Sequence, residues 1–403
     1  MSDPAPTGWE VCARLPEGGV ARLKVSGSRL VAVEPIPGNP EKLPYALPVL
    51  VDLQHNGALG MAYNMLEQAA DAPARLMAVA DHLRRHGVGR CLLTLTTYPH
   101  EGLKRTAVLV NEALSRDAGL TALFFGLFHE GVYISPQDGW RGAHAAQWVK
   151  PPDYEAFREV DDCSGGRIKV VNVAPEEPGG LAFIERACAD GKRVALGHAC
   201  PSAAVVREAV ARGATFVTHF GNGAAPMMHR FKNPFWAFLD EPALSLGVIC
   251  DGFHLPPEVV RVALRCKGRA GCLPVSDASG HSGMPPGAYE GFGGRRFVIE
   301  PSGFMHVAES EILSGGWFQA DRCVEFLVQA VGLPFLEAWE QCSVIPARAI
   351  GLELPRIAAG QEASFILARW ENGLVLDQAV HLGRRFLEAP LRPGMPSAGH
   401  PVG

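Results

Sequence analysis

Eight short apolar runs between Pro48 and Asp277 limit what this chain can fold into more than any other feature. They read LPVLVDL, CLLTLTT, ALFFGLF, IKVVNVA, RVALGH, ATFVTH, LSLGVIC and GCLPVSD. Each is too continuously apolar for a strand with one solvated face, and too short for a helix. Helix-like stretches separate them at 61–85, 103–115, 181–190, 203–212 and 256–266, while 131–166 reads as loop with room for a short helix. Buried strands alternating with helices predict a parallel sheet covered on both faces, and eight of them predict an α/β fold of the (β/α)8 barrel type. An open doubly wound sheet is the alternative, but no G-x-G-x-x-G follows the first run.

The two ends of the chain have a different texture. Residues 1–47 alternate polar and apolar positions, and ARLKVSGSRLVAVEPIP predicts a hairpin that turns near Gly27. The strand-like pieces ASFILARW and GLVLDQAVHLGRRF close the other end. A small composite β domain is expected from 1–47 and 352–390, beside a barrel over 48–351, with a disordered tail at 391–403. Segment 280–316 reads as a loop-rich excursion, followed by helices near 318–331 and 334–342.

Composition narrows the partners. With 47% hydrophobic and 20% charged residues in 403, the chain suits a large apolar core. A net charge of −5 without a long basic run argues against nucleic acid or an anionic membrane as partner. No apolar stretch is long enough to span a bilayer, and the N-terminus lacks a basic start and an apolar run, so no signal peptide is expected. The ten cysteines are scattered, without a C-x-x-C pair, and read as reduced thiols of a cytoplasmic protein.

Chemistry in a barrel collects where the strands end. The third run ends in FHEG, the fifth in GHAC, the sixth in THFGN and the eighth in SDASG, which brings Glu130, His198, His219 and Asp277 to one mouth. A glutamate and two histidines can hold a divalent metal and leave a position open for water. Asp277 could then move a proton between that water and a leaving amine. Singly, each residue has a plainer reading: a hydrogen-bonded rim histidine, an arginine partner for Glu130, a turn cap for Asp277. Four such groups on four strand ends are hard to bury without a shared purpose.

In these stretches, and in GAH at 142–144, CDGFHLPPEVVRVALRCKG, LSGG at 313–316 and PARAIGLE, the sequence resembles the N-acetylglucosamine-6-phosphate deacetylase family of the amidohydrolase superfamily. The ordered set covers about 300 residues. The resemblance implies hydrolysis of the N-acetyl group of a phosphorylated amino sugar to acetate and free amine. It implies Glu130, His198 and His219 as metal ligands, Asp277 as acid/base, and His144 beside the acetamide. His254, Arg230 and Asn222 match sugar-phosphate contacts, with Gly223 and Leu313 as further substrate-side positions. The arginine's place implies a homodimer in which Arg230 reaches the partner's site. On the residues alone, Arg230 could be a solvated loop residue, His254 a cap of the helix near Pro256, and His144 a surface histidine. His55, His100 and His229 read as structural or exposed.

The departures sit around the substrate. Phe128 stands where the family commonly has histidine, and strand alternation puts Phe128 with Glu130 and turns His129 away. The segment GNGAAPMMHRF, the loop SGHSGMPPGAYEGFGG and the EAS at 362–364 also differ from the usual pattern. In VDLQHNG, Gln54 and Asn56 occupy the positions of a histidine pair in binuclear relatives. Neutral amides are poor zinc ligands, so one metal per subunit is expected, with Gln54 and Asn56 as hydrogen-bonding residues. Zinc suits the ligands, and iron, manganese or cobalt share them. Two other functions stay open: hydrolysis of a different N-acyl amino sugar or amine, and a non-catalytic sugar-phosphate sensor.

Overall fold

The eight apolar runs all form strands, and the strands lie side by side in chain order. In the computed structural model, which describes residues 8–291, 296–310 and 312–393, they are Leu50–His55, Val88–Leu95, Phe124–His129, Ile168–Val173, Arg193–Leu196, Ala214–Val217, Ser245–Ile249 and Cys272–Val275. Every neighbouring pair is parallel. The first and eighth strands meet through a parallel bridge between His55 and Ala278, with the Asp277 amide donating to the Gln54 carbonyl at 3.0 Å. The sheet therefore closes into the predicted barrel. Buried Asp52 reinforces the seam: it accepts from the Ser276 amide at 3.2 Å and from the Ser276 hydroxyl at 2.5 Å.

Burial explains the apolar runs. All eight residues of Val88–Leu95 are buried, as are all six of Leu50–His55. Alternate residues divide between two cores. Val51, Leu53, Leu92, Phe128, Val170, Ala195, Phe216, Ile249, Leu273 and Val275 fill the barrel interior. Leu50, Cys91, Leu93, Leu127, Val171, Leu196, Val217 and Leu246 face the surrounding helices. A strand clamped between two apolar layers loses its polar face, which is why these runs do not alternate.

The helices begin where side chains can cap them. Asp71 accepts from the Ala74 amide ahead of helix Ala72–Arg85, Asp153 caps Tyr154–Cys163, and Ser202 caps Ala203–Ala211. The stretch 61–85 is thus helical only in its second half; a two-residue strand and a 3₁₀ turn at Tyr63–Gln68 precede the Asp71 cap. The link 131–166 carries the helix Tyr154–Cys163. Helix Pro257–Lys267 follows Pro256 with no side-chain cap, so His254 does not serve that purpose.

A seven-stranded sheet draws on both chain ends. Trp9–Arg14, Val20–Ser26, Arg29–Pro35 and Tyr45–Leu47 come from the N-terminal side, and Phe365–Trp370, Leu374–His381 and Arg384–Arg385 from the other. Gly27, at φ +53°, makes the hairpin turn. Segment 280–316 differs from the expectation. It carries a three-stranded antiparallel sheet of Gly287–Glu290, Arg296–Ile299 and Met305–Val307, whose strands are only three or four residues long and leave little pattern in the sequence. Of the tail 391–403, residues 394–403 lie outside the described residues. No described helix is long and apolar enough to cross a membrane.

Candidate metal centre and active site

Glu130 directly follows the third strand, and His198, His219 and Asp277 each lie two residues past the fifth, sixth and eighth. All four are buried. Glu130 Oε1 lies 3.0 Å from His219 Nε2 and 3.3 Å from His198 Nε2, and the two imidazole Nε2 atoms are 3.0 Å apart. His144 joins at the edge. Its Nε2 is 3.8 Å from Glu130 Oε1, and its ring packs edge-on against His198 with centroids 4.3 Å apart. Glu130, His144 and His198 bring ligand atoms within 4.8 Å of one another, but His219 is closer to Glu130 than His144 is. The tightest trio is therefore Glu130, His198 and His219.

The local backbone is bent to make this arrangement. His198, His219 and Asp277 have φ of +51°, +27° and +47°, a region non-glycine residues rarely adopt. Two of the imidazoles, His198 and His144, are oriented from behind. The Trp140 carbonyl lies 3.0 Å from His198 Nδ1, which assigns the proton to Nδ1 and turns a lone pair at Nε2 toward Glu130. Gly142 and Gly223 crowd the same ring, and a Cβ on Gly223 would collide with it. Thr97 Oγ1 lies 2.7 Å from His144 Nδ1. Asn172, on the fourth strand, accepts from Thr218 Oγ1 at 2.7 Å and donates to the Gly197 carbonyl at 3.1 Å, which ties together the residues that precede both histidines.

The donor set fits a divalent metal. Four-coordinate zinc with nitrogen and oxygen ligands at about 2.0–2.1 Å holds its donors about 3.3 Å apart, close to the 3.0–3.3 Å found here. Glu130 Oε2 and His219 Nδ1 are buried and make no hydrogen bond among the described residues. Two imidazole lone pairs and a carboxylate facing one another repel unless a cation or proton lies between them. Charge follows the geometry. Burial pushes the Glu130 carboxyl up, but the facing His198 and His219 imidazoles outweigh it and hold it well below the usual range. Burial opposes a charge on His219, yet Glu130 raises its pKa. For His198 burial prevails and lowers it; it takes His144 down to about 3.

Asp277 stands beside the trio. Its Oδ1 accepts from Asn56 Nδ2 at 2.7 Å and Gln54 Nε2 at 3.0 Å, and Oδ2 accepts no hydrogen bond from the described residues. Burial, with the Glu130 charge added, raises its pKa to about 6. His55 between the two amides faces elsewhere: Gln319 Oε1 lies 3.0 Å from its Nε2, and Tyr63 Oη 2.9 Å from its Nδ1. His129, the neighbour of Glu130, stacks on Tyr133 with centroids 5.6 Å apart, on the helix side of the strand.

The other singled-out residues spread outward. His254 is held by Asp251, with Nδ1 2.7 Å from Oδ2. Burial works against its charge, but Asp251 outweighs that and raises its pKa. Asn222 turns back on the His219 carbonyl. Leu313 bridges His306 beside the small sheet. Arg230 is exposed, with its guanidinium over the Phe231 ring, and does not join the cluster within this subunit. Sequence reading missed Thr97, Asn172 and Asp251. Only Asn172, a lone amide in the apolar run IKVVNVA, carried a visible signal.

The barrel, the β sheet drawn from both chain ends and the carboxylate–imidazole cluster at the mouth define a class: this chain is a hydrolase built on a (β/α)8 barrel of the metal-dependent type. The resemblance read from the motifs holds over most of its length. It is 29% identical over 353 residues to N-acetylglucosamine-6-phosphate deacetylase of Bos taurus, covering 85% of this chain and 82% of the relative. It is 28% identical over 378 residues to N-acetylgalactosamine-6-phosphate deacetylase of Escherichia coli O157:H7, covering 92% and 94%. The solved N-acetyl-D-glucosamine-6-phosphate deacetylase of Mycobacterium smegmatis, an aspartate-to-alanine mutant in complex with N-acetyl-D-glucosamine-6-phosphate, superposes with a TM-score of 0.78. There the identity is 25%, over 91% of this chain and 95% of that one. No family model matches the chain.

Proposed function

We propose that this protein removes the acetyl group from N-acetylglucosamine-6-phosphate, releasing acetate and glucosamine-6-phosphate. The observation that carries this reading is a carboxylate, Asp277, clamped on one oxygen by Gln54 and Asn56 and left open on the other, beside the Glu130–His198–His219 trio. Binding alone does not need such a group, which argues against a sensor. A divalent cation on that trio, one per subunit and zinc by its ligands, supplies Lewis acidity and brings a water's pKa toward neutrality.

The chain's own groups do the rest. Asp277 Oδ2 takes a proton from the attacking water as the new C–O bond forms, and returns it to the nitrogen as the C–N bond breaks. Gln54 and Asn56 fix the carboxylate's orientation throughout. His144, held at Nδ1 by the Thr97 hydroxyl, is placed to donate from Nε2 to the negative charge on the acetyl oxygen. His254, held by Asp251, and Asn222 face the sugar phosphate, with Gly223 and Leu313 shaping the same side. Arg230 suits phosphate by its planar fork. Around it Met227, Phe231 and Trp236 are 87%, 72% and 56% exposed, an apolar surface that supports a homodimer in which the arginine serves the partner's site. Ten free thiols support a cytoplasmic setting.

An acetate-release assay over N-acetyl sugars with and without the 6-phosphate tests the reading, alongside Asp277→Asn. Turnover of the phosphorylated glucosamine derivative, nearly abolished in the variant with metal retained, is expected. Near-normal turnover in that variant removes Asp277 from the role. The galactosamine epimer belongs in the panel, because the relative matched over the larger share of this chain carries that name.

A further inference from the structure

A cleft of about 670 Å³ lies outside the metal centre, among the segments that follow the second, third and fourth barrel strands. We propose that it binds a small aromatic acid, a planar ring carrying one anionic group. Its volume falls in the range of about 300–1,000 Å³ typical of small-molecule pockets. Its walls are rings. Tyr98 faces Trp148 with centroids 6.0 Å apart, and Phe183 packs edge-on against Tyr154 at 5.7 Å. Flat apolar walls of this kind select a planar ligand.

The polar groups select the charge. Tyr133 lines the cleft, is 2% exposed, and its hydroxyl has no hydrogen-bond partner among the described residues. It is therefore free to donate to an acceptor on a ligand in the cleft. Burial and the charges of Asp153 and Glu159 push its pKa up, so it remains a donor at neutral pH. At the rim, Arg186 is paired with Glu155 and His100 with Glu159. Lys150 forms no ion pair among the described residues and supplies an uncommitted positive charge. The helices His100–Arg116 and Gly180–Ala189 both start at the cleft wall without a side-chain cap, which adds positive potential. Asp153, the acidic residue of the lining, is engaged in capping its own helix.

Calorimetric titration of the full-length protein with 2-naphthoate and its neutral isostere 2-naphthamide tests this. The acid is expected to bind with a Kd below about 1 mM and the amide about tenfold more weakly or worse. Lys150→Met and the near-isosteric Tyr133→Phe should each weaken the acid by about fivefold to tenfold, and Lys150→Met should leave the amide unchanged. Binding must also persist after the metal is stripped with a chelator. Equal binding of acid and amide, no binding of either, insensitivity to both substitutions, or loss on chelation would each overturn the proposal. None of these outcomes bears on the deacetylase reading.

Discussion

Removing the Asn56 amide should move the acid limb of the pH–rate profile, and the structure sets the direction and size. Asn56 Nδ2 donates to Asp277 Oδ1 at 2.7 Å, the shorter of the two bonds on that oxygen. A hydrogen bond to a charged acceptor contributes about 1.5–3 kcal/mol, which at 1.36 kcal/mol per unit is roughly one to two pKa units. Losing a donor to the charged form favours the proton, so the Asp277 carboxyl, already raised to about 6, moves higher. In Asn56→Ala it reaches roughly 7–8, and at pH 7 the ionised fraction falls from roughly nine-tenths to between about one-half and one-tenth. Asn56 keeps its backbone bonds to Ala278 and Tyr63, so the barrel seam survives. The assay is kcat/KM for acetate release from about pH 5 to 9. The acid limb should shift upward while the alkaline plateau stays within about threefold of the parent. An unmoved limb, a shift to lower pH, or a uniform loss at every pH would refute the argument that Asp277 works as a base tuned by this clamp.

Three further perturbations follow from the same geometry. Gly223→Ala puts a methyl against the His198 ring at a backbone φ of +57°; metal affinity, read by chelator competition, should fall about 10–100-fold, and thermal denaturation should show a loss of about 1–2 kcal/mol. Asp251→Asn leaves burial to prevail over the charge of His254, so KM for the phosphorylated sugar should rise on the order of tenfold while that of the unphosphorylated sugar barely changes. Elemental analysis of purified protein should find one divalent metal per chain, and Glu130→Gln should lower that and cost on the order of a thousandfold in turnover; two fully occupied metals would contradict the reading of Gln54 and Asn56.

The barrel was legible because its strands are squeezed between two apolar layers, and continuous burial writes itself into sequence as continuous apolarity. The small sheet in 280–316 was not, since strands of three or four residues on a partly exposed surface impose no period long enough to detect. The residues that converge at the mouth could be collected from strand ends alone. Their supports could not: Thr97 and Asp251 matter through contacts with His144 and His254, 47 and 3 residues away, and a threonine or aspartate in a loop has many ordinary uses.

How the mouth is assembled goes further than strand periodicity allows. Glu130 is in phase with Phe128, and Asp277 with Leu273 and Val275, all of which point into the barrel. The two histidines are out of phase: Ala195 and Phe216 point inward, so plain alternation would turn His198 and His219 out toward the helices. A left-handed backbone at each brings the ring back over the mouth. The first strand has the same problem. Val51 and Leu53 point inward, which by alternation would send His55 in and Gln54 and Asn56 out, but the ladder slips between Asp52 and His55. That slip, rather than alternation itself, lets both amides reach Asp277. A non-glycine residue held in such a conformation costs about 1–3 kcal/mol, and it persists here because the surroundings fix each side chain. The Trp140 carbonyl holds His198, Glu130 holds His219, and Gln54 and Asn56 hold Asp277. Local geometry has yielded at the positions where the chemistry needs three side chains to meet.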